Sequence, residues 1–481
     1  MSAASNGHVV VIGAGVAGLA AAHRALARGA RVTVLEATDR VGGKLLPGEI
    51  AGLKVDLGAE SMLARRPEAV GLAREVGLGD RLQPPATATA SIWTRDALRP
   101  MPKGHVMGVP GTAAALSGLL SAEGLARIER DAALPPTEVG DDVAVGEYVA
   151  ARMGREVVDR LVEPLLGGVY AGDAYRLSLR SAVPQLYQAA RTHDTLTAAV
   201  QSLQAKAAEA GQTGPVFLGI EGGVGTLPLA VADAVRARGG EIHTGTPVSE
   251  LRRDGTGWRV TAGDRTLHAD AVVVAVPAPA ASALLRAEAP EAAAELAAVE
   301  YASMALITLA YRRADASLPE GSGFLVPPVD GRTIKAATFA SQKWGWVGTE
   351  DPDHLVVRTS VGRHHETEIL QRDDADLVQV ARHDLRAATG LDAEPVATRV
   401  TRWTDGLPQY PVGHHARVAR VREHIAKLPG LAVCGAQYDG VGIPACIASA
   451  YAAVDQLGGD LAGVRELTAN PVQSLHGGAG E

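Results

Sequence analysis

Val9-Val10-Val11-Ile12-Gly13-Ala14-Gly15-Val16-Ala17-Gly18 opens the chain's first structural unit. Four apolar residues, enriched in the β-branched type, predict a buried strand. The glycines at 13, 15 and 18 predict a tight turn into the Ala-rich stretch Leu19 to Leu26, whose composition favours a helix. A second apolar run, Arg31-Val32-Thr33-Val34-Leu35, ends in Glu36. Strand, glycine turn, helix, strand and an acid about 20 residues on form the dinucleotide-binding βαβ pattern. Gly13 permits the turn, Gly15 lets a pyrophosphate approach the backbone, and Gly18 lets the helix lie close to the strands. The helix N-terminus then offers free N–H groups and a positive dipole end to phosphates, and Glu36 can accept from a ribose diol.

Working outward, 481 residues suffice for two or three domains. Aromatic residues make up only 4% against 47% hydrophobic residues, so the core must be built mainly from Ala, Val and Leu. A net charge of −8 gives no general case for nucleic-acid binding. No uninterrupted run of about 18 apolar residues predicts a membrane span, and the first strand begins too early for a secretory signal. The expectation is a cytoplasmic protein with at most peripheral membrane contact. Cys434 and Cys446, twelve apart, fit neither a redox pair nor a metal pair, and read as small buried residues.

The βαβ unit alone does not separate NAD from FAD. Arg40-Val41-Gly42-Gly43-Lys44 adds a basic residue four after the acid, then flexible backbone and a cation near a long pyrophosphate. Val55-Asp56-Leu57-Gly58-Ala59-Glu60-Ser61 ends a strand in small residues. Glu241 to Val248 reads as a strand reaching a Pro-Val turn, and Val272 to Val276 as a returning parallel strand. Leu431 to Ala436, the loop Gln437 to Pro444 and the helical stretch Ala445 to Leu457 repeat the order strand, glycine loop, helix.

These segments resemble the flavin amine-oxidase-like superfamily and, within it, the oxygen-dependent porphyrinogen oxidases of haem synthesis. The likeness runs from Val9 to about Leu457. It is carried by Met101-Pro102-Lys103-Gly104, Glu163-Pro164-Leu165-Leu166-Gly167-Gly168-Val169-Tyr170-Ala171-Gly172-Asp173, Thr401-Arg402-Trp403, Leu407-Pro408-Gln409-Tyr410 and Gly440-Val441-Gly442-Ile443-Pro444. Overall it is most like the soluble coproporphyrinogen III oxidases of Gram-positive bacteria. The resemblance implies FAD as cofactor, bound by Gly13 to Gly18, Glu36, Ala37, Arg40, Gly43, Lys44, Gly58, Ala59, Glu60, Ser61, Val248, Trp403, Gly435, Gly442, Ile443 and Pro444.

It also implies six-electron oxidation of coproporphyrinogen III to coproporphyrin III in three cycles. Flavin N5 is the hydride acceptor, and molecular oxygen is reduced to three hydrogen peroxide. No acid or base side chain is assigned. Gly168 and Val169 are the candidate catalytic positions: small residues let a tetrapyrrole lie against the flavin, and a backbone carbonyl steadies developing positive charge. The alternative there is a helix C-cap. Substrate propionates need cations. Arg66, its neighbour Arg65 and Lys343 are the candidates, with Lys335 and Arg358 behind them; for Arg65 and Arg66 the alternative is a solvated surface pair. Adjacent His364 and His365 read as a solvent-facing strand pair. Among partners, the resemblance adds a transient contact with the next enzyme of haem synthesis.

The fold expected is α/β: a discontinuous Rossmann-type FAD domain (1–78, 214–290, 425–462), a helical domain that walls the substrate site (79–213) and a mixed-sheet substrate domain (291–424). Residues 463–481 read as a disordered tail. Protoporphyrinogen IX oxidation is the nearest alternative activity. A flavin amine oxidase, or a flavin- or porphyrin-binding protein without catalysis, is more distant.

Overall fold

The computed structural model describes residues 7–211 and 214–468, with side chains through residue 458. Its centre is a parallel sheet of five strands: β1 (His8–Ile12), β2 (Arg31–Leu35), β3 (Glu241–His243), β4 (Ala271–Val274) and β5 (Leu431–Val433), in the order β3-β2-β1-β4-β5. All four pairings are parallel. Side chains alternate between the two faces, and both faces are covered. Val9, Val11, Val32, Val34 and Val273 pack under α1 (Val16–Ala27) and the last helix. Val10, Ile12, Val272 and Val274 pack toward an antiparallel three-stranded sheet spanning 250–269. Double coverage explains why every residue of β1 is buried and why its sequence lacks alternation.

The chain winds outward from β1 to β2 on one side and resumes at β4 on the other. A ligand crevice opens where the strand order reverses, beyond the carboxyl ends of β1 and β4. Gly13 follows β1 and Ala275 follows β4, so the glycine turn sits at that point.

A mixed seven-stranded sheet roofs the crevice. Its order is Ala397–Pro408, Tyr301–Arg312, His354–Val361, Ala336–Phe339, Gly323–Leu325, Ser91–Thr94 and Ala97–Pro100. One face buries Ile307, Leu309 and Val357 against the helix Asp374–Thr389. The other face turns to the parallel-sheet unit, where Trp403 Nε1 donates to the Leu57 carbonyl at 3.0 Å. A helical cluster built on Val149, Val158, Leu161, Leu166 and Leu196 forms the remaining wall.

Several boundaries differ from the sequence reading. The stretch expected to be helical from 79 has one 3-10 turn, Gly79–Arg81, and then continues as strands. Ser91–Thr94 and Ala97–Pro100 form a hairpin turned by Arg95 and Asp96, both at positive φ, and the hairpin joins the roof. Helices Pro290–Ala297 and His414–Ile425, placed by sequence in the substrate domain, bury Leu296, Val418 and Ile425 in the core cluster of the parallel sheet. The final helix runs Ile443–Thr468, past the expected start of the tail at 463; residues 469–481 lie outside the described ones.

Candidate functional site

The glycine turn is fixed by contact. A Cβ on Gly18 would lie 1.9 Å from the Gly13 carbonyl oxygen, and one on Gly13 would lie 2.6 Å from the Ala275 carbonyl oxygen. Gly13 also sits at φ +105°. Gly15 differs: a Cβ there would meet nothing within 4 Å. It is the N-cap of α1, has no side chain to offer, and no acid lies in the first turn. A twelve-residue helix therefore points an uncapped, positive N-terminus at open space. Beside it, Glu36 Oε2 accepts from the Ala14 N–H at 2.8 Å, and Oε1 accepts from the Thr38 N–H at 2.8 Å. The carboxylate is oriented and still has acceptor capacity. Ala37 is exposed, and Val248 packs at the edge of the core cluster beyond β2.

The turn after Glu36 closes back on the glycines. Gly42 N–H donates to Ala14 O at 2.8 Å, and Arg40 Nη2 donates to Gly43 O at 2.8 Å. Among the described residues Lys44 makes no ion pair or hydrogen bond, and its Nζ lies 5.9 Å over the Tyr301 ring; burial pushes its ammonium below the usual lysine value, against smaller upward pulls from Cys446 and Asp405. A half-buried cation without a counter-anion among the described residues, next to a turn whose Gly42 bonds Ala14 at the head of α1, suits an anionic group such as the diphosphate of a dinucleotide. Gly58 is required because a Cβ would lie 2.1 Å from the Lys44 carbonyl oxygen and 3.3 Å from the Trp403 ring. On the far side, Gly435 N–H donates to Ser449 Oγ at 3.2 Å, and Gly442, Ile443 and Pro444 start the last helix. Cys434 and Cys446 are buried free thiols, as expected of small core residues.

One element went unread in the sequence. Glu221-Gly222-Gly223-Val224-Gly225 follows the strand Phe217–Ile220 and leads into the helix Thr226–Ala237, repeating the order strand, glycines, helix. Its N–H groups at Val224 and Gly225 donate to Asp56 at 2.9 and 2.8 Å. Burial pushes the Asp56 carboxyl up to about 7 despite these bonds. Asp56 thereby pins the strand leading to Gly58.

The candidate cations are distributed differently from expectation. Glu60 and Lys343, assigned separately to cofactor and substrate, are ion-paired with each other, and Arg358 Nη1 reaches the other oxygen of Glu60. Arg358 Nη2 also donates to Gly58 O at 2.7 Å. Burial alone would raise the Glu60 carboxyl; Lys343 and Arg358 hold it down to about 2. The Lys343 charge is thus committed to joining roof and sheet. Arg66 is committed too, gripping Glu68 through Nη2 at 2.7 Å and Nε at 3.1 and 3.2 Å. Lys335 is buried, donates to Gly362 O at 2.9 Å, and burial pushes it down to about 7. Among the described residues, Arg65 is exposed and makes no ion pair, so its charge alone of the three assigned cations is free.

Gly168 and Val169 lie in the last turn of α2 (Glu163–Tyr170), and both are exposed. A Cβ on Gly168 would come within 3.7 Å of Leu325 in the roof, so the helix end borders the roofed space. Ala171 N–H caps the Gly167 carbonyl at 2.9 Å and Gln409 Nε2 caps the Tyr170 carbonyl at 2.8 Å. No donor among the described residues reaches the carbonyls of Gly168 and Val169. At a helix C-terminus these oxygens carry partial negative charge. Ala171, in the left-handed region, serves as the C-cap that the sequence left as the alternative role for the glycines. Glu163 at the other end of α2 is pushed up to about 7 by burial, although it accepts from the Ala174 N–H.

His364 and His365 do not sit on a strand. They occupy a turn after His354–Val361, with His365 at φ +72°, and their rings meet at 3.7 Å rather than facing opposite ways.

The family of flavin-containing amine oxidoreductases matches residues 16–458. The chain is 38% identical over 454 residues to a Mycobacterium tuberculosis protein named coproporphyrinogen III oxidase, covering 92% of this chain and 96% of that one. It is 34% identical to a Bacillus subtilis protein of the same name, covering 93% and 97%. A crystal structure from Exiguobacterium sp. 255-15, provisionally assigned as a protoporphyrinogen oxidase, is similar over 95% of this chain and 99% of its own, with TM-score 0.83 and 31% identity.

Proposed function

This chain belongs to the family of flavin-containing amine oxidoreductases, in its porphyrinogen oxidase branch, and from that premise we propose that it oxidises coproporphyrinogen III to coproporphyrin III. Six electrons and six protons leave the macrocycle, and three dioxygen molecules take them up as three hydrogen peroxide. Bound flavin, here FAD, supplies the two-electron acceptor that is reused three times. The N-terminus of α1, with Gly13 to Gly18 and Lys44, binds the diphosphate. Glu36 binds the ribose. Gly58 to Ser61, Trp403 and the 435–444 loop shape the slot for the ring system.

Two helix ends of opposite sign carry this reading. The uncapped N-terminus of α1 receives anionic phosphates. The exposed C-terminus of α2, next to Leu325 of the roof, leaves two carbonyls without a donor among the described residues, and a macrocycle losing hydride against this helix end builds up positive charge. Preoriented backbone dipoles suit this task, and no side-chain acid or base is needed at the reacting carbon. Pyrrole protons pass to solvent. Arg65 is the free cation available to a propionate, and the names of the relatives support the four-carboxylate substrate.

The test is a side-by-side assay of the purified protein with coproporphyrinogen III and protoporphyrinogen IX, following porphyrin fluorescence and oxygen uptake. The expected result is FAD in the released cofactor, higher kcat/KM for coproporphyrinogen III, and three oxygen molecules per porphyrin. Better turnover of protoporphyrinogen IX would move the substrate assignment, and no oxygen uptake with either would leave a binding protein.

A further inference from the structure

Outside the crevice, three ligand-bearing side chains converge. Glu300 precedes the long roof strand, and His364 and His365 occupy the turn after a neighbouring strand. One ligand atom from each of the three lies within 4.8 Å of the others. His364 Nε2 is 3.1 Å from Glu300 Oε2. The left-handed backbone at His365 swings the second ring back onto the first, so an adjacent pair that would diverge on a strand meets at 3.7 Å. The centre of this group is already held by a cation. Arg176 Nη1 lies 2.7 Å from His365 Nε2 and 3.3 Å from His364 Nδ1, and its Nη2 donates to Glu300 Oε1 at 2.9 Å. Lone pairs of all three residues are therefore directed at one positive group.

We propose that Glu300, His364 and His365 form a site for a divalent transition-metal ion, taken up in exchange for the Arg176 guanidinium. Two imidazoles and a carboxylate suit Zn²⁺ or Ni²⁺, and leave a position for water. The His364 side chain is only 6% exposed, which fixes its ring, whereas Arg176 is 40% exposed and can swing into solvent on its flexible stem. The site is coupled to the crevice through the backbone. His364 N–H donates to Ala171 O at 2.6 Å, one residue beyond α2, and Arg176 lies in the loop that follows. Metal uptake removes the side-chain contacts of Arg176 to Glu300 and the two histidines while the backbone bonds of the loop remain, so the ion acts as a modulator of turnover and takes no part in the chemistry.

The experiment is isothermal titration of the flavin-loaded protein with Zn²⁺, alongside zinc-edge anomalous diffraction of soaked crystals. One ion per chain with a micromolar Kd is expected, with the anomalous peak near the present position of Arg176 Nη1, within reach of His364 Nδ1 and His365 Nε2. His365→Ala should weaken binding at least tenfold. Arg176→Gln should tighten it severalfold, because the competing cation is gone. Visible flavin absorbance shows that each variant is folded, and the exposed His365 position keeps the test available if a His364 variant fails to fold. Binding weaker than millimolar, an anomalous peak elsewhere, an unchanged Kd in His365→Ala, or no tightening in Arg176→Gln overturns the proposal.

Discussion

The glycine turn after β1 and the charged seam beneath the roof both prepare for anions, and they do so by opposite means. At the turn, the backbone is the binding group. Contact distances force Gly13 and Gly18, and Gly15 is left facing open space. At the seam, long side chains from three segments pair with one another: Glu60 with Lys343 and Arg358, and, on the segment of Glu60 itself, Arg66 with Glu68. Backbone recognition depends on spacing within a few residues. Side-chain recognition depends on which cations the fold leaves unpaired, and the seam leaves few.

The largest expected effect separates two glycines of one motif. Gly18→Val should abolish soluble, flavin-loaded protein, because a Cβ alone would lie 1.9 Å from a backbone carbonyl and neither backbone can yield. A cost above about 4 kcal/mol is expected, the range of severe core strain. Gly15→Ala should fold with a thermal midpoint close to that of the parent, since its Cβ meets no protein atom within 4 Å. Its flavin retention should drop at least tenfold, because the methyl occupies the space facing the N-terminus of α1. Equal flavin content in Gly15→Ala and the parent would remove the phosphate from this position.

The next effect belongs to the seam. Glu60→Gln leaves Lys343 and Arg358 without their shared anion in a largely buried setting, a change expected to cost about 3 kcal/mol at neutral pH. Its pH dependence has a definite sign. The carboxyl titrates near 2 in the folded chain, below its ordinary value of 4.5, so its ionised form stabilises the fold. That contribution is complete above about pH 5 and is lost as pH falls from about 4.5 toward 2. Denaturant midpoints for parent and variant should therefore be far apart at pH 7 and converge in acid. A gap that stays constant down to pH 3 would mean that Glu60 contributes through shape and not charge.

What the sequence disclosed follows the same division. The βαβ unit was legible because its determinants, from Val9 to Glu36, are local and each has a backbone reason. The hairpin Ser91–Pro100 was read as the start of a helical region because its partner, Phe324-Leu325, lies more than 220 residues away, and alternation over four residues is too short to stand out. Asp56 and the Gly222 to Gly225 loop escaped because neither is diagnostic alone; they acquire a role only when the carboxylate meets two N–H groups across 168 and 169 residues of chain. Lys343 looked like a substrate cation because nothing in the sequence shows that Glu60 claims it. His364 and His365 looked solvent-facing because a positive φ at a histidine leaves no mark in the residue pattern.

The smallest effect concerns the exposed arginines. Arg66 gives its guanidinium to Glu68 through two donors, whereas Arg65 makes no ion pair among the described residues. A propionate reaching this edge thus meets one available cation and one already neutralised. Arg65→Ala should raise KM for coproporphyrinogen III by about three- to tenfold, roughly 1 kcal/mol, with kcat nearly unchanged, because such a contact holds ground state and transition state alike. Arg66→Ala should raise KM less. Glu68→Gln frees Arg66 and should lower KM in the parent background, but leave it unchanged when Arg66 is already alanine. Exposed ion pairs are weak, at about 0–1 kcal/mol, so little stability change is expected in any of the three. Salt should shrink the KM differences, since free charges are screened beyond about 8–10 Å at physiological ionic strength. If Arg66→Ala instead exceeds Arg65→Ala in its effect on KM, substrate displaces Glu68 on binding. The seam would then release a cation on demand, and the contrast with the preformed glycine turn would narrow to a difference in when the site is made ready.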